Sequence, residues 1–383
     1  MLAHRDCALR TQYQEGKMKG LLRKAAAVLL VAVMAVAMFA GCTKSSGKKV
    51  NAGSDGSMFG ILKSAMQLEK KTFDCDITAD IEGTTAKIKL SGVSDGNATS
   101  LSAEVSTGGM SFKFDNAIVF TDDVIYFNVA SIMDEVGAFT SAIPGADFDL
   151  EDLGITSDWV SFKAEGLFKQ DNSIFEAISK DLDEAYADMI TEKDGTYSIT
   201  VSDKDSVKGF IDATKKLLDD KGDAWAKLFA EQSNKLDVEK LMNGVADDVV
   251  EAIVKAYEES TGEKLPEDKI KELRDSMLEE TDMSGIEEIN EDTYKEMFDE
   301  IRDQLDDASV TGLDGKIDVR TSSDKGVYTI KANAEPEDEE DGSIILISTI
   351  KEDSSAKVEV PSDAQSAIDI LVAIVVANMG GMN

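Results

Sequence analysis

The sequence predicts an α+β fold, and three observations carry the prediction. Residues 73–129 alternate apolar and polar side chains in short runs separated by turn signals. Residues 203–307 change to the three-and-four spacing of helices, with no strand signal among them. After Ala308 the alternation returns. A period of two puts successive side chains on opposite faces of a strand, whereas a period of 3.6 gathers apolar side chains on one side of a helix. The changes of period therefore mark a helical insertion, 203–307, between two β-rich parts, 57–202 and 308–383. A chain of 383 residues, 42% of them hydrophobic, can bury a sizeable core.

Taken in order, Ser57 caps a short helix with Met58, Phe59, Ile61, Leu62, Ala65 and Met66 apolar. Phe73, Cys75, Ile77, Ala79 and Ile81 then point one way, with Asp74, Asp76, Thr78, Asp80 and Glu82 opposite, as in a half-buried strand. Ala86, Ile88 and Leu90 repeat the pattern, as do Leu101, Ala103 and Val105, then Met110, Phe112 and Phe114. Asp95-Gly96 and Gly108-Gly109 are hairpin turns between these runs. Two further runs, Ala117–Phe120 and Val124–Val129, flank Asp122-Asp123, so 73–129 reads as an antiparallel meander. Trp159, Val160 and Phe162 suggest another strand; a helix follows from Ser173 or Asn172, then a strand through Tyr197, Ile199 and Val201. The insertion holds about five helices. Beyond it, Ile317 and Val319, then Tyr328, Ile330 and Ala332, alternate again, and the near-continuous apolar run Ile344–Ile350 reads as a central strand. A last helix, Ala364–Met379, is apolar almost all round, which asks for burial on every side. It is expected against Phe73, Ile77, Ile88 and Phe112, with Ile374 among its contacts; those five residues are the candidates for lining an apolar cavity.

The amino terminus gives an address. Lys19, Arg23 and Lys24 precede the apolar stretch Ala25–Ala40, with small residues Ala40 and Gly41 before Cys42. This is the layout of a secretory signal, and about 16 apolar residues fall short of the roughly 20 that span a bilayer. Residues 1–41 are thus expected to be a signal peptide whose true start is Met18. The ending Phe39-Ala40-Gly41-Cys42 resembles the lipobox of bacterial lipoproteins, with Phe39 where that family usually has a leucine-like residue. The resemblance implies lipidation of Cys42, cleavage before it, and a cell-membrane location facing outside the cytoplasm. Residues 42–56 then form a polar tether.

The order of a leading helix, a long meander, inserted helices and late strands resembles the LolA/LppX-like lipoprotein carriers. That resemblance implies a strongly curved antiparallel sheet, an open half-barrel with helices on its concave side, holding acyl chains or other lipidated cargo. It covers roughly 57–200 and 308–383 and carries no functional residues with it.

Composition excludes much chemistry. With 75 acidic against 40 basic residues, the net charge of −35 disfavours nucleic acid. Removing residues 1–41 takes away six basic and two acidic residues and leaves −39, with no histidine, since His4 is the chain's only one. Serine- and cysteine-histidine catalysis and histidine metal sites fall with it. Phosphate-loop, dinucleotide and EF-hand spacings are absent. The acidic run 335–341 reads as a solvated hairpin tip, with weak calcium binding as the sharper alternative, and Asp74, Asp76 and Asp80 on one strand face invite the same idea. Cys75, among Phe73 and Ile77, reads as a buried inert thiol. No catalytic residue, metal or cofactor is expected. The leading expectation is an anchored, non-enzymatic protein that binds a hydrophobic or lipid ligand in an apolar concavity. The alternative is an anchored interaction module docking an envelope or secreted protein through the helical insertion.

Overall fold

The computed structural model describes residues 56–81, 84–140, 150, 154–163, 173–233, 238–280, 290–311, 315–336 and 342–372. Helix α1 (Met58–Met66) starts at Ser57, whose Oγ accepts from the Gly60 N–H at 3.1 Å. Asp183 accepts a further first-turn N–H, that of Phe59, at 3.1 Å. At the other end the buried Lys71 donates its ammonium to the Met66 carbonyl at 3.0 Å, placing a cation at the helix carboxyl end.

Five antiparallel neighbours follow one another: β1 (Lys71–Ile81), β2 (Thr84–Ser94), β3 (Ala98–Thr107), β4 (Met110–Thr121) and β5 (Val124–Asn128). The runs Met110–Phe114 and Ala117–Phe120, separate in the sequence reading, are one strand. Leu101 pairs with Ile118 and Ala103 with Phe114, so β4 carries two extra residues around Asn116, whose φ is +48°. An even number of extra residues keeps Phe114 and Ile118 on the same face. The Ser102 hydroxyl accepts the Asn116 N–H at 2.8 Å in place of a ladder bond.

Helix α2 (Val129–Thr140) continues the line of β5 and packs beside β4, whose first half β5 does not pair. Strand β6 (Trp159–Lys163) completes this side. The chain then crosses through α3 (Ser173–Ala185) to the opposite edge, where β7 (Thr191–Lys193) and β8 (Thr196–Val201) lie. Four helices follow among the described residues, where the sequence suggested about five: α4 (Lys204–Ser233), α5 (Val238–Thr261), α6 (Glu267–Glu280) and α7 (Glu291–Thr311). Strands β9 (Gly315–Asp324), β10 (Val327–Pro336) and β11 (Ser343–Glu352) run back to the middle, where β11 pairs with β1.

The result is one open sheet of 12 strands in the order β12-β6-β5-β4-β3-β2-β1-β11-β10-β9-β8-β7. It is mixed rather than wholly antiparallel, because β12 (Gln365–Ser366) lies parallel to β6. That pairing also corrects the last helix: residues 365–366 are strand, and helix begins at 367.

The core lies on one side of the sheet. Ile61, Ala65 and Met66 of α1 cover Phe73, Cys75, Ile330, Leu346 and Ile350. A second cluster joins Met58 and Phe59 to Leu182, Ile199, Ile211, Trp225 and Phe298 of α3, β8, α4 and α7. The other side is largely polar, apart from Ile345 and Ile347 on β11 and the place where a strap, residues 353–364, runs from β11 to β12 and buries Val358 against Ala98 and Val119.

Candidate functional site

Register fixes which side chains share the inner side. Phe112 faces Val105, Val105 faces Ile88, Ile88 faces Ile77, and Ile77 faces Leu346. The line continues through Ala332 and Val319 to Ile199. Eight strands thus place one unbroken apolar row across the sheet. Its two halves differ in cover. Ile199 and Leu346 are buried by the helices, whereas Ile77, Val105 and Phe112 are half-buried and Ile88 is 39% exposed. Met110, two residues beyond Phe112 on the same face, is 50% exposed.

Three of the five expected cavity residues, Ile77, Ile88 and Phe112, therefore stand together. Phe73 does not join them: it is 4% exposed, packed beneath α1, four residues from Ile77 along the strand. Ile374 lies outside the described residues, as does Cys42. The direction of β12 also counts against the expected seat of the last helix. Gln365 pairs with Val160 and Ser366 with Ser161, so the chain leaves β12 heading along β6 toward Lys163. Through Phe127 and Ile118, Val160 is level with Phe73, and Lys163 lies farther still from the Ile88 row. Within the described part of that helix Ile370 is buried but Leu371 is 47% exposed.

Val105 belongs to the row without having been read as a site residue, and Met110, whose stripe with Phe112 and Phe114 reads in the sequence as core or cargo surface, belongs to it too. Their signal was present in the alternation, but joining it across strands requires the register of two hairpins. Another exposed apolar side chain, Phe162 on β6, meets Phe127 edge-on at 5.5 Å.

The inner face offers hydrophobic contact rather than reactive groups. Cys75 is fully buried, and burial, helped by the neighbouring Asp76 charge, pushes its thiol up to about 11, so it stays protonated and inert at neutral pH. Burial likewise raises the Tyr328 phenol. Asp74, Asp76 and Asp80 lie on the outer side, and among the described residues no three acidic, cysteine or histidine groups stand close enough to hold a metal ion. Of the acidic run, Glu335 and Pro336 end β10, and 337–341 lie outside the described residues. A polar groove of about 380 Å³ lines one side of α6, between Asp268, Lys271, Glu272, Asp275 and Ser276. No described helix is long and apolar enough to cross a membrane. Comparison with known families, characterised proteins and solved structures finds no match to this chain.

Proposed function

We propose that the chain is a lipid-anchored protein facing outside the cytoplasm that binds a hydrophobic ligand on the inner side of β1–β4 and catalyses no reaction. The supporting observation is the row Ile77, Ile88, Val105 and Phe112 with Met110, one apolar surface left partly open where the rest of the same row is covered. Covering a half-exposed isoleucine gains about 1 kcal/mol, so a ligand laid across four strands collects several such increments. In this reading the sheet curves around the row as an open half-barrel, with α1 closing one end of the concavity. Cys42 carries the anchor, and 42–56 hold the domain off the membrane. The helical block supports the docking alternative less well: among its described residues Met297 is the one large apolar side chain strongly exposed.

The test uses protein extracted from its own membrane and a dansyl-labelled fatty acid as probe. Binding is expected to enhance dansyl fluorescence, and Ile88→Asp is expected to weaken it about tenfold or more, while Phe112→Ala weakens it less. Both positions are partly open, so the thermal midpoint of Ile88→Asp should stay near that of the wild type. Absence of binding, or affinity indifferent to both substitutions, would sink the reading. Cys42→Ala should separately move the protein out of the membrane fraction or leave it uncut.

A further inference from the structure

Strand β11 breaks the pattern of its neighbours on the outer side of the sheet. Residues 344–347 are apolar without interruption. Leu346 points inward and is 2% exposed, whereas Ile345 and Ile347 point outward and are 38% and 37% exposed. The flanking outer positions are polar: Asp76 and Thr78 on β1, Lys331 and Asn333 on β10. A strand apolar on both sides is the mark of one covered on both. The strap that covers other parts of the outer side leaves β11 toward β6, touching Lys70, Asp95 and Ser157.

We propose that the outer side of β11 docks against the same surface of a second copy, about a twofold axis parallel to the strand. Such an interface is isologous and must be complementary to itself. Asp76 and Lys331 flank Ile347, each one strand away, at about 4.8 Å. The axis exchanges the flanks, so Asp76 of each copy comes over Lys331 of the other. One strand farther out, Lys87 comes over Asp318. The like pair, Lys89 and Arg320, is softened by Asp318, which lies 2.6 Å from Arg320. Ile345 and Ile347 of the two copies meet at the centre. Approach through the helices is disfavoured, because 204–311 carries 31 acidic and only 15 basic residues. The sheet surface mixes both signs and lacks that barrier. It is separate from the inner row, so the two proposals stand or fall independently.

The test is cysteine cross-linking of the full chain in its own membranes, with the wild type as control. Ile347 lies at the axis, so Ile347→Cys under mild oxidation should give a reducible species of twice the mass. Lys113→Cys, four strands away on the same side, should not. Adding Asp76→Lys should lower the cross-linked fraction about tenfold, and adding Lys331→Asp as well should restore it, since the exchanged charges still oppose each other. The proposal is overturned by Ile347→Cys cross-linking no better than Lys113→Cys, by a product of any other mass, or by failure of the double exchange to restore what the single one removed.

Discussion

A methyl group on Gly92 would stand 2.2 Å from the Cζ of Phe73 and 2.5 Å from the Ser100 carbonyl oxygen. Gly92 and Phe73 face each other on β2 and β1, and the ring occupies the space a side chain would need. That placement lets Ile61 and Ala65 of α1 settle on the sheet with almost no exposure. Gly92→Ala should cost about 1–3 kcal/mol, read as a lower urea midpoint with an unchanged slope. Phe73→Leu should rescue only part of the loss, because the Ser100 backbone remains in the way. The glycines of Asp95-Gly96 and Gly108-Gly109 were legible in the sequence, since they serve turns and have positive φ. Gly92 was not: its demand comes from a side chain on another strand. Asn116 misled for a related reason. Its left-handed backbone breaks the local rhythm without ending the strand, so one strand read as two.

Among the elements, the strap shows how one carboxylate can join parts distant in the chain. Asp95 Oδ1 accepts the N–H groups of Asn97 and Ala98 at 2.9 and 3.0 Å, and Oδ2 accepts that of Val358 at 3.1 Å. Burial pushes its pKa upward, but the three backbone donors and the Lys70 charge outweigh it and hold the carboxyl below its ordinary value. A depressed folded pKa stabilises the protein above the unfolded value, about 3.9, and that contribution is lost as pH falls through the folded value. Asp95→Asn should therefore be less stable than wild type at pH 7, by about 1 kcal/mol given the solvent around the site. The gap should narrow steadily as urea titrations are repeated at lower pH, below the ordinary carboxylate range. A gap that widens on acidification would show that the charge of Asp95 is not what holds the strap. The strap's own path was invisible in the sequence: Val358 and Val360 alternate like a strand ending at Pro361, but 353–364 pairs with no strand, and its partners lie more than 200 residues away. The long helices and alternating strands were visible because each writes its period locally.

For the whole molecule, what the sequence concealed is the order of strands. The meander β1–β5 and the return of alternation after 308 are local patterns; that β11 closes beside β1 in the middle of the sheet is not. Nor does any local signal tell that β8 and β9, separated by the helical block, are direct partners with Val201 opposite Ile317. The same topology orders the helices by depth. Helix α4 leaves from β8 and α7 returns to β9, and the two pack antiparallel: Trp225 meets Phe298 at 6.4 Å, and Phe229 stacks on Tyr294 at 5.3 Å. Arg302 reaches Asp219 at 3.1 Å nearer the sheet. Trp225 also donates to Asp181 of α3 at 2.9 Å, and Lys221 pairs with the same carboxylate at 2.8 Å, tying this hairpin to the main core. The far ends of α4 and α7 therefore lie side by side, and α5 and α6 are inserted there, packed on each other. Among their described residues neither contributes to the cluster shared by α1, α3, α4, α7 and the sheet. Among the described residues the ion pair of Asp248 with Lys163, a contact worth under about 1 kcal/mol, ties α5 to the sheet side, and α5 also buries Ala246, Val249, Val250 and Ile253. Replacing residues 234–289 by a short Gly-Ser turn should consequently leave the sheet, α4 and α7 folded, with a cooperative thermal transition and the probe binding of the inner row intact. Removing α4 and α7 as well should unfold the molecule, because Ile199, Val201, Leu182 and Tyr186 would lose their cover. If the smaller excision alone abolishes cooperative unfolding, α5 and α6 are part of the core, and the division of the helices by depth is wrong.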